Sequence, residues 1–384
     1  MAKVFSTDSC YGAPVIRVVC APNAFKGTLS ALDAAAAMAT GVADAGGIAV
    51  AVPMADGGDG TMAVLVQASG GWISEHVVSG PLGEPVSARI GWLDATTAVV
   101  EMAEASGLRL LPNDQRRPLA ATSLGTGELL AAALDAGATS VIVGVGGSAS
   151  TDGGAGLLIA LGVRPIAADG AAVGSRGGAE LERIDRIGHT AKWGLGGRRV
   201  SVACDVQNPL LGPRGSAPVF APQKGAGPDQ VAVLERGLCQ WAAVVVRDLA
   251  PERANLAERP MTGAAGGAAF GLSALGAELV DGAALVADAV GLTAALVGAD
   301  LCLTGEGCFD ATTKEGKAPA EVILRARAAD VPCRILAGRI EGDVPAGISA
   351  IAIGAGLPLE EAMEDAAPLL RRATALAVRA HLNQ

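Results

Sequence analysis

Short apolar, β-branched runs recur along the chain, and most of them stop at a cluster of Gly and polar residues. The run Val15–Ala21 predicts a strand. Ser30 and Asp33 then form a capping-box-like start for an Ala-rich helix to about Ala45. Ile48–Met54 predicts a second strand, followed by a helix to about Ala68. This alternation is that of a parallel α/β layer. The rhythm then changes. Trp72–Ser79, Pro85–Trp92 and Thr97–Met102 are strand-like pieces separated by the turn segments SGPLGE and LDAT. They predict an antiparallel region with a boundary near Gly71. A helix over Gly127–Ala136 leads to the strand Val141–Val145, a small-residue loop, and a helix over Ala155–Leu161. Arg164–Ala172 carries an Asp169–Gly170 turn that predicts a hairpin. Val200–Val206 reads as another buried strand, with helices expected over Gln230–Arg247 and Ala264–Leu275. From about Ala284 the first rhythm returns. Asp300–Thr304, a helix starting near Pro319, the strands Cys333–Ala337 and Ala350–Ile353, and one or two terminal helices complete the chain. The predicted fold class is α/β in two domains. Residues 1–72 plus 284–384 form a split parallel α/β (Rossmann-like) domain, and residues 73–283 an inserted mixed α/β domain.

Composition narrows what such a chain does. Apolar residues make up 51% of its 384 positions, but aromatics only 3%, and the formal charge is −10. An acidic, aromatic-poor chain is poorly suited to nucleic acid. The longest charge-free stretch, Pro260–Ala277, opens on Pro and is broken by five Gly, so no membrane-spanning helix is expected. Met1–Pro14 lacks an apolar signal core, which predicts a cytoplasmic protein. The seven scattered Cys (10, 20, 204, 239, 302, 308 and 333) contain no CxxC and read as buried free thiols. His76, His189 and His381 lack ligand-spaced partners. Acid–base work therefore falls to carboxylates and Lys.

The candidate chemistry sits in loops that follow the apolar strands, where open α/β sheets bind ligands. The central one is GGSASTDGG, Gly146–Gly154. Its Gly146 and Gly147 amides, the hydroxyls of Ser148, Ser150 and Thr151, and the start of the next helix are suited to an anion. Asp152 there could hold a metal ion, orient a substrate hydroxyl, or cap that helix. Lys26 in AFKGT offers charge to a phosphate or carboxylate, and Asp56 and Asp59 bracket two Gly in ADGGDG. Asp205 and Asn208 end a buried strand in ACDVQNP, where a carboxylate beside so much apolar sequence needs a partner or a function. Gln223 and Lys224 in APQKGA are weaker candidates. Glu306, Asp310 and Lys317 lie in TGEGCFDATTKEGKAP ahead of a helix. The familiar nucleotide motifs are absent. Ala311 and Ala318 break a P-loop at Gly316–Lys317, and no GxGxxG follows the first strand, which leaves a nicotinamide-dependent oxidoreductase poorly supported.

Six segments in order, APNAFKGTLSA, PMADGGDGT, GVGGSASTDGGAG, ACDVQNPLLGPRGSAPVFAPQKGA, GAAGGAAFGL and TGEGCFDATTKEGKAP, resemble the glycerate kinase family, in its bacterial class that makes 2-phosphoglycerate. They span about Ala21–Pro319. Asn23 stands where the family more usually has Asp. The resemblance implies transfer of a phosphoryl group from ATP to D-glycerate, assisted by Mg²⁺, on a two-domain α/β architecture; because the candidate residues divide between the two predicted domains, the site is expected in an interdomain cleft. Loop context, with the needs of phosphoryl transfer, makes Asp205, Lys26, Asp310 and Lys317 the candidate catalytic set. Asp205 is expected nearest the attacking hydroxyl, Lys26 and Lys317 on anionic groups, and Asp205 and Asp310 near the metal. Asp56, Asp59, Gly146, Gly147, Ser148, Ser150, Asp152, Asn208, Lys224 and Glu306 are expected to line the substrates. A kinase of another small hydroxy acid on the same scaffold is the alternative.

Overall fold

The first apolar run forms β1 (Arg17–Pro22), and β2 (Ile48–Ala51) follows after the helix Ala31–Asp44, capped as expected by Ser30 through the Asp33 amide at 3.1 Å. In this computed structural model residues 15–188, 194–310 and 317–383 are described. Met1–Pro14 with Cys10, His189, and positions 311–316 of the late Gly-rich loop lie outside them. The helix Thr61–Ser69 leads into β3 (Trp72–Ser79), β4 (Pro85–Trp92) and β5 (Thr97–Glu101). After the helix Leu124–Asp135 come β6 (Ser140–Gly144) and β7 (Arg164–Ala167), then β8 (Ile184–Gly188), β9 (Arg199–Cys204) and β10 (Glu278–Asp281). The chain ends with β11 (Leu301–Gly305), β12 (Cys308–Phe309), β13 (Cys333–Ala337), β14 (Arg339–Ile340) and β15 (Ser349–Ala352), followed by the helices Leu359–Glu364 and Ala366–Leu382.

Two compact units result. One holds the chain up to Pro53, Leu292–Phe309 and everything from Val322 on; the other holds Met54–Gly291 and Asp310–Glu321. The α/β class and the split-plus-inserted plan are as the sequence indicated. The ADGGDG loop and the helix after it, however, fall in the inserted unit rather than the split one.

The split unit is built on a parallel sheet in the order β15-β13-β11-β1-β2. Val18, Val19, Cys20 and Ala21 of β1 are wholly buried, which is why this strand is apolar without alternation. The inserted unit carries the order β10-β9-β6-β5-β4-β3. Its β10, β9, β6 and β5 are parallel, and β4 pairs antiparallel with both β5 and β3. The stacked pair Trp72 and Trp92, 5.9 Å between ring centres, pins the register of β3 on β4. The Asp169–Gly170 turn forms, with Ile166 bridging Ala172, but β7 pairs chiefly with the later β8. A second departure is the helix expected over Ala264–Leu275. Ala265, Gly266 and Gly267 take left-handed dihedrals inside it, so regular helix begins only after them.

Candidate functional site

In the inserted unit the parallel strands bring four chain segments to one edge. Register pairs Glu101 with Gly144, Gly144 with Ala203, and Cys204 with Asp281. The row along the carboxyl ends of the strands is therefore Glu101, the Gly146–Gly147 turn, Asp205 and Asp281. The ADGGDG loop lies directly on this edge. The Gly146 amide donates to the Gly57 carbonyl at 3.1 Å. A Cβ on Gly146 would stand 2.4 Å from Gly58 Cα, and one on Gly57 2.5 Å from the Ala203 carbonyl. Glycine is required here because backbone packs on backbone, closer than any side chain permits. That packing delivers Asp56 and Asp59 to the same edge as Asp205.

The electrostatics agree with this convergence. The Cys204 thiol is pushed up to about 12, by burial first and then by the charges of Asp205 and Asp281. Asp281 also caps the helix Gly282–Ala289 through the Ala284 amide. Asp205 is half-buried, as is Asn208. The Asn208 amide donates to the Arg214 carbonyl at 2.7 Å, so its side chain holds its own loop in shape.

The Gly146–Gly154 loop divides into an outer and an inner part. Gly147 is exposed and Gly146 half-buried, while Ser150, Thr151 and Asp152 are at most 1% exposed. Asp152 accepts from the Ser123 amide and hydroxyl, both at 2.8 Å, and from the Gly154 and Gly156 amides at 3.2 and 3.3 Å. Asp152 thus acts as an internal cap: helix-start amides expected to meet an anion already meet its carboxylate. Ser150 is likewise interior, and its Oγ and Thr151 Oγ1 have no hydrogen-bond partner among the described residues. The inner part is braced from behind. Trp241 Nε1 donates to the Gly153 carbonyl at 3.0 Å, and the left-handed Gly266 accepts from the Gly153 amide at 2.8 Å.

Lys224 belongs to this bracing. It is 2% exposed, and its Nζ donates to Ser148 Oγ at 2.9 Å and the Ser150 carbonyl at 2.5 Å. Burial pulls its ammonium down to about 7, against the pull of the Asp152 charge. Through these two bonds it fixes the loop from within.

Next to Asp59 lies a cavity of about 190 Å³ lined in part by Arg89, Glu101, Glu104 and Arg109. Glu104 is held by Arg89 Nη2 at 2.8 Å and Arg109 Nη2 at 2.5 Å, and Arg109 Nε stands 3.9 Å from Asp59. Glu101 Oε1 accepts from the Met62 amide at 2.6 Å. Burial first, then the charges of Asp59 and Glu104, push the Glu101 carboxyl up to about 7, against that hydrogen bond. These four residues were not among the sequence candidates. The indication was present in TAVVEMAE, a carboxylate closing an apolar strand as Asp205 does.

The remaining candidates come from other segments of the chain. Lys26 is exposed at the tip of the tight turn Phe25–Leu29, anchored by buried Phe25. Glu306, 8% exposed, follows β11 in the same unit. Lys317 Nζ stands 3.8 Å from Asp310 Oδ1, in a segment that groups with the inserted unit. Among the described residues no helix is long and apolar enough to cross a membrane. Cys20, Cys204, Cys302 and Cys333 are buried free thiols as expected, but Cys239 is exposed and Cys308 half-buried.

A family model described as the glycerate kinase family matches residues 18–382. A glycerate kinase of Bacillus subtilis is 44% identical over 369 residues, covering 93% of this chain and 95% of its own. A glycerate 2-kinase of Escherichia coli is 41% identical over 335 residues, covering 86% and 87%. The crystal structure of a protein assigned as glycerate kinase 2 from Salmonella typhimurium LT2 superposes with a TM-score of 0.79 at 38% identity, covering 96% of this chain and all of that one.

Proposed function

Because the chain belongs to the glycerate kinase family, and is a phosphotransferase by its relatives, we propose that it transfers the γ-phosphoryl group of ATP to the 2-hydroxyl of D-glycerate. The products are ADP and 2-phosphoglycerate. The observation that carries the reading is the convergence of Asp56, Asp205 and the Gly146–Gly147 turn on one sheet edge, built by backbone contacts that only glycine allows. The E. coli relative named a glycerate 2-kinase supports the position of attack.

Phosphoryl transfer asks chiefly for positioning and charge neutralisation. Asp205 accepts the proton of the attacking hydroxyl as its oxygen bonds to the γ-phosphorus, and the bond to the β-phosphate oxygen breaks to release ADP. Asp56 and Asp59 orient the second hydroxyl, and the outer amides of Gly146 and Gly147 receive negative oxygen. Lys26 and Lys317 neutralise anionic groups. The donors fit Mg²⁺, which takes one or two carboxylates together with phosphate oxygens and water. Asp205 and Asp310 are the oxygen ligands of choice. Among the described residues no three His, Cys, Asp or Glu side chains form a ready-made cage, so the phosphates would complete the shell. Bound there, the ion supplies charge compensation on the transferred group. Buried free thiols fit the cytoplasm as the place of action.

The test is ADP release on D-glycerate, with the product passed to enolase, which dehydrates 2-phosphoglycerate directly. A product inert to enolase until a phosphoglycerate mutase is added would overturn the position of attack. Faster turnover of another hydroxy acid would favour the alternative substrate.

A further inference from the structure

The split unit holds a cavity of about 410 Å³ that none of the catalytic carboxylates enters. It lies outside the carboxyl ends of β1, β11, β13 and β15, with Lys26 from the loop after β1 and Arg339 from the segment after β13. The chain leaves β1 toward β2 on one side, while β11, β13 and β15 build outward on the other. The cavity thus sits where the strand order reverses, the place where open α/β sheets take their ligands. Its volume falls in the range of about 300–1,000 Å³ usual for small-molecule sites.

Its lining is chemically divided. Ile353, Leu357, Leu359 and Met363 form an apolar wall, with Lys26 and Arg339 also in the lining. Leu357, Leu359 and Met363 are 38%, 52% and 39% exposed, a cluster of large apolar side chains that a soluble surface seldom leaves open without use. Glycerate does not suit this wall. Its carboxylate and two hydroxyls would lose water there and gain no hydrogen bonds in return. A flat base with a charged tail suits it. Arg339 is paired with Glu341 at 3.3 Å, both more than half exposed. So exposed a pair contributes little and yields readily to a phosphate.

We propose that this cavity binds the purine nucleotide, with base and ribose against Ile353, Leu357, Leu359 and Met363 and the phosphates on Lys26 and Arg339. The assignment rests on the reading that ATP is the phosphoryl donor. It adds which unit carries the donor and which side chains recognise it.

The experiment uses the full chain with Met363→Trp, which fills the cavity from an exposed position, and Arg339→Ala, which removes a phosphate contact. Folding is checked by thermal melts, binding by fluorescence titration with mant-ADP, and kinetics by ADP release. Expected is at least a tenfold rise in both the mant-ADP dissociation constant and the KM for ATP, with the KM for glycerate within twofold of wild type. A rise in the glycerate KM with unchanged mant-ADP affinity would overturn the proposal, as would wild-type values throughout in either folded variant. Wild-type protein that binds no mant-ADP overturns it too. If wild type binds mant-ADP and the variants weaken it, yet D-glycerate gives no turnover, the nucleotide site stands and the acceptor assignment falls.

Discussion

Lys224→Met separates two consequences of burying one ammonium. In the unfolded chain this group titrates at its ordinary 10.5, and in the fold at about 7. Between those values the unfolded state binds the extra proton. The stability held above pH 10.5 is therefore lost progressively as pH falls toward 7. At ~1.4 kcal/mol per pH unit the full loss is about 5 kcal/mol. Methionine keeps the length of the stem and carries no charge, so it escapes this loss. It leaves Ser148 Oγ and the Ser150 carbonyl without their donor, at a cost of about 1–3 kcal/mol each. The two effects differ in pH dependence. Near pH 10 the variant should be the less stable protein; near pH 7 it should equal or exceed wild type. Urea unfolding of both proteins from pH 6.5 to 10 reads the crossing directly. Turnover should fall at least about tenfold at every pH, because a loop displaced by an ångström misplaces what it binds. Parallel stability curves would show that Lys224 is not desolvated as argued. Unchanged turnover would show that it does not position the Gly146–Gly154 loop.

Asp205→Asn should lower turnover by at least about a hundredfold, as for removal of a general base, while calorimetric glycerate binding survives; a variant that loses only melting temperature makes Asp205 structural. Glu101→Gln keeps an acceptor for the Met62 amide but cannot ionise. Wild type loses stability as pH rises from 4.5 through about 7, by about 3 kcal/mol at ~1.4 kcal/mol per unit, so the variant should match it at pH 4 and be more stable at pH 8 by urea titration. Gly57→Ala forces a methyl to 2.5 Å from the Ala203 carbonyl at φ +93° and should cost at least about 2 kcal/mol; a melting temperature at the wild-type value would mean the loop and β9 part without strain. Exhaustive chelation should abolish ADP release and added Mg²⁺ restore it, whereas full turnover in chelator would remove the metal from the reading.

The local structure was legible because its causes are local. Pro85–Trp92 is a strand because apolar residues run between turn-forming segments, and Ser30 starts a helix because its hydroxyl reaches an amide three residues on. Each motif was placed after its strand on the same grounds. Placing a motif did not settle its role. Asp152 reads from sequence as a ligand or a cap, and the fold gives it a cap's contacts through Ser123, 29 positions away. The burial of Lys224 was not legible either, since the fold sets it under residues 74 and 76 positions earlier. The grouping of ADGGDG with the inserted unit, the Glu101 and Glu104 cluster with its two arginines, and the cavity beyond β1 and β15 also depend on chain crossings. Periodicity and turn chemistry act over a few residues and determined the elements and the positions of the loops. Burial and charge depend on which distant backbones meet, and only tertiary packing decided which side chains are buried and which of them hold the loops in place.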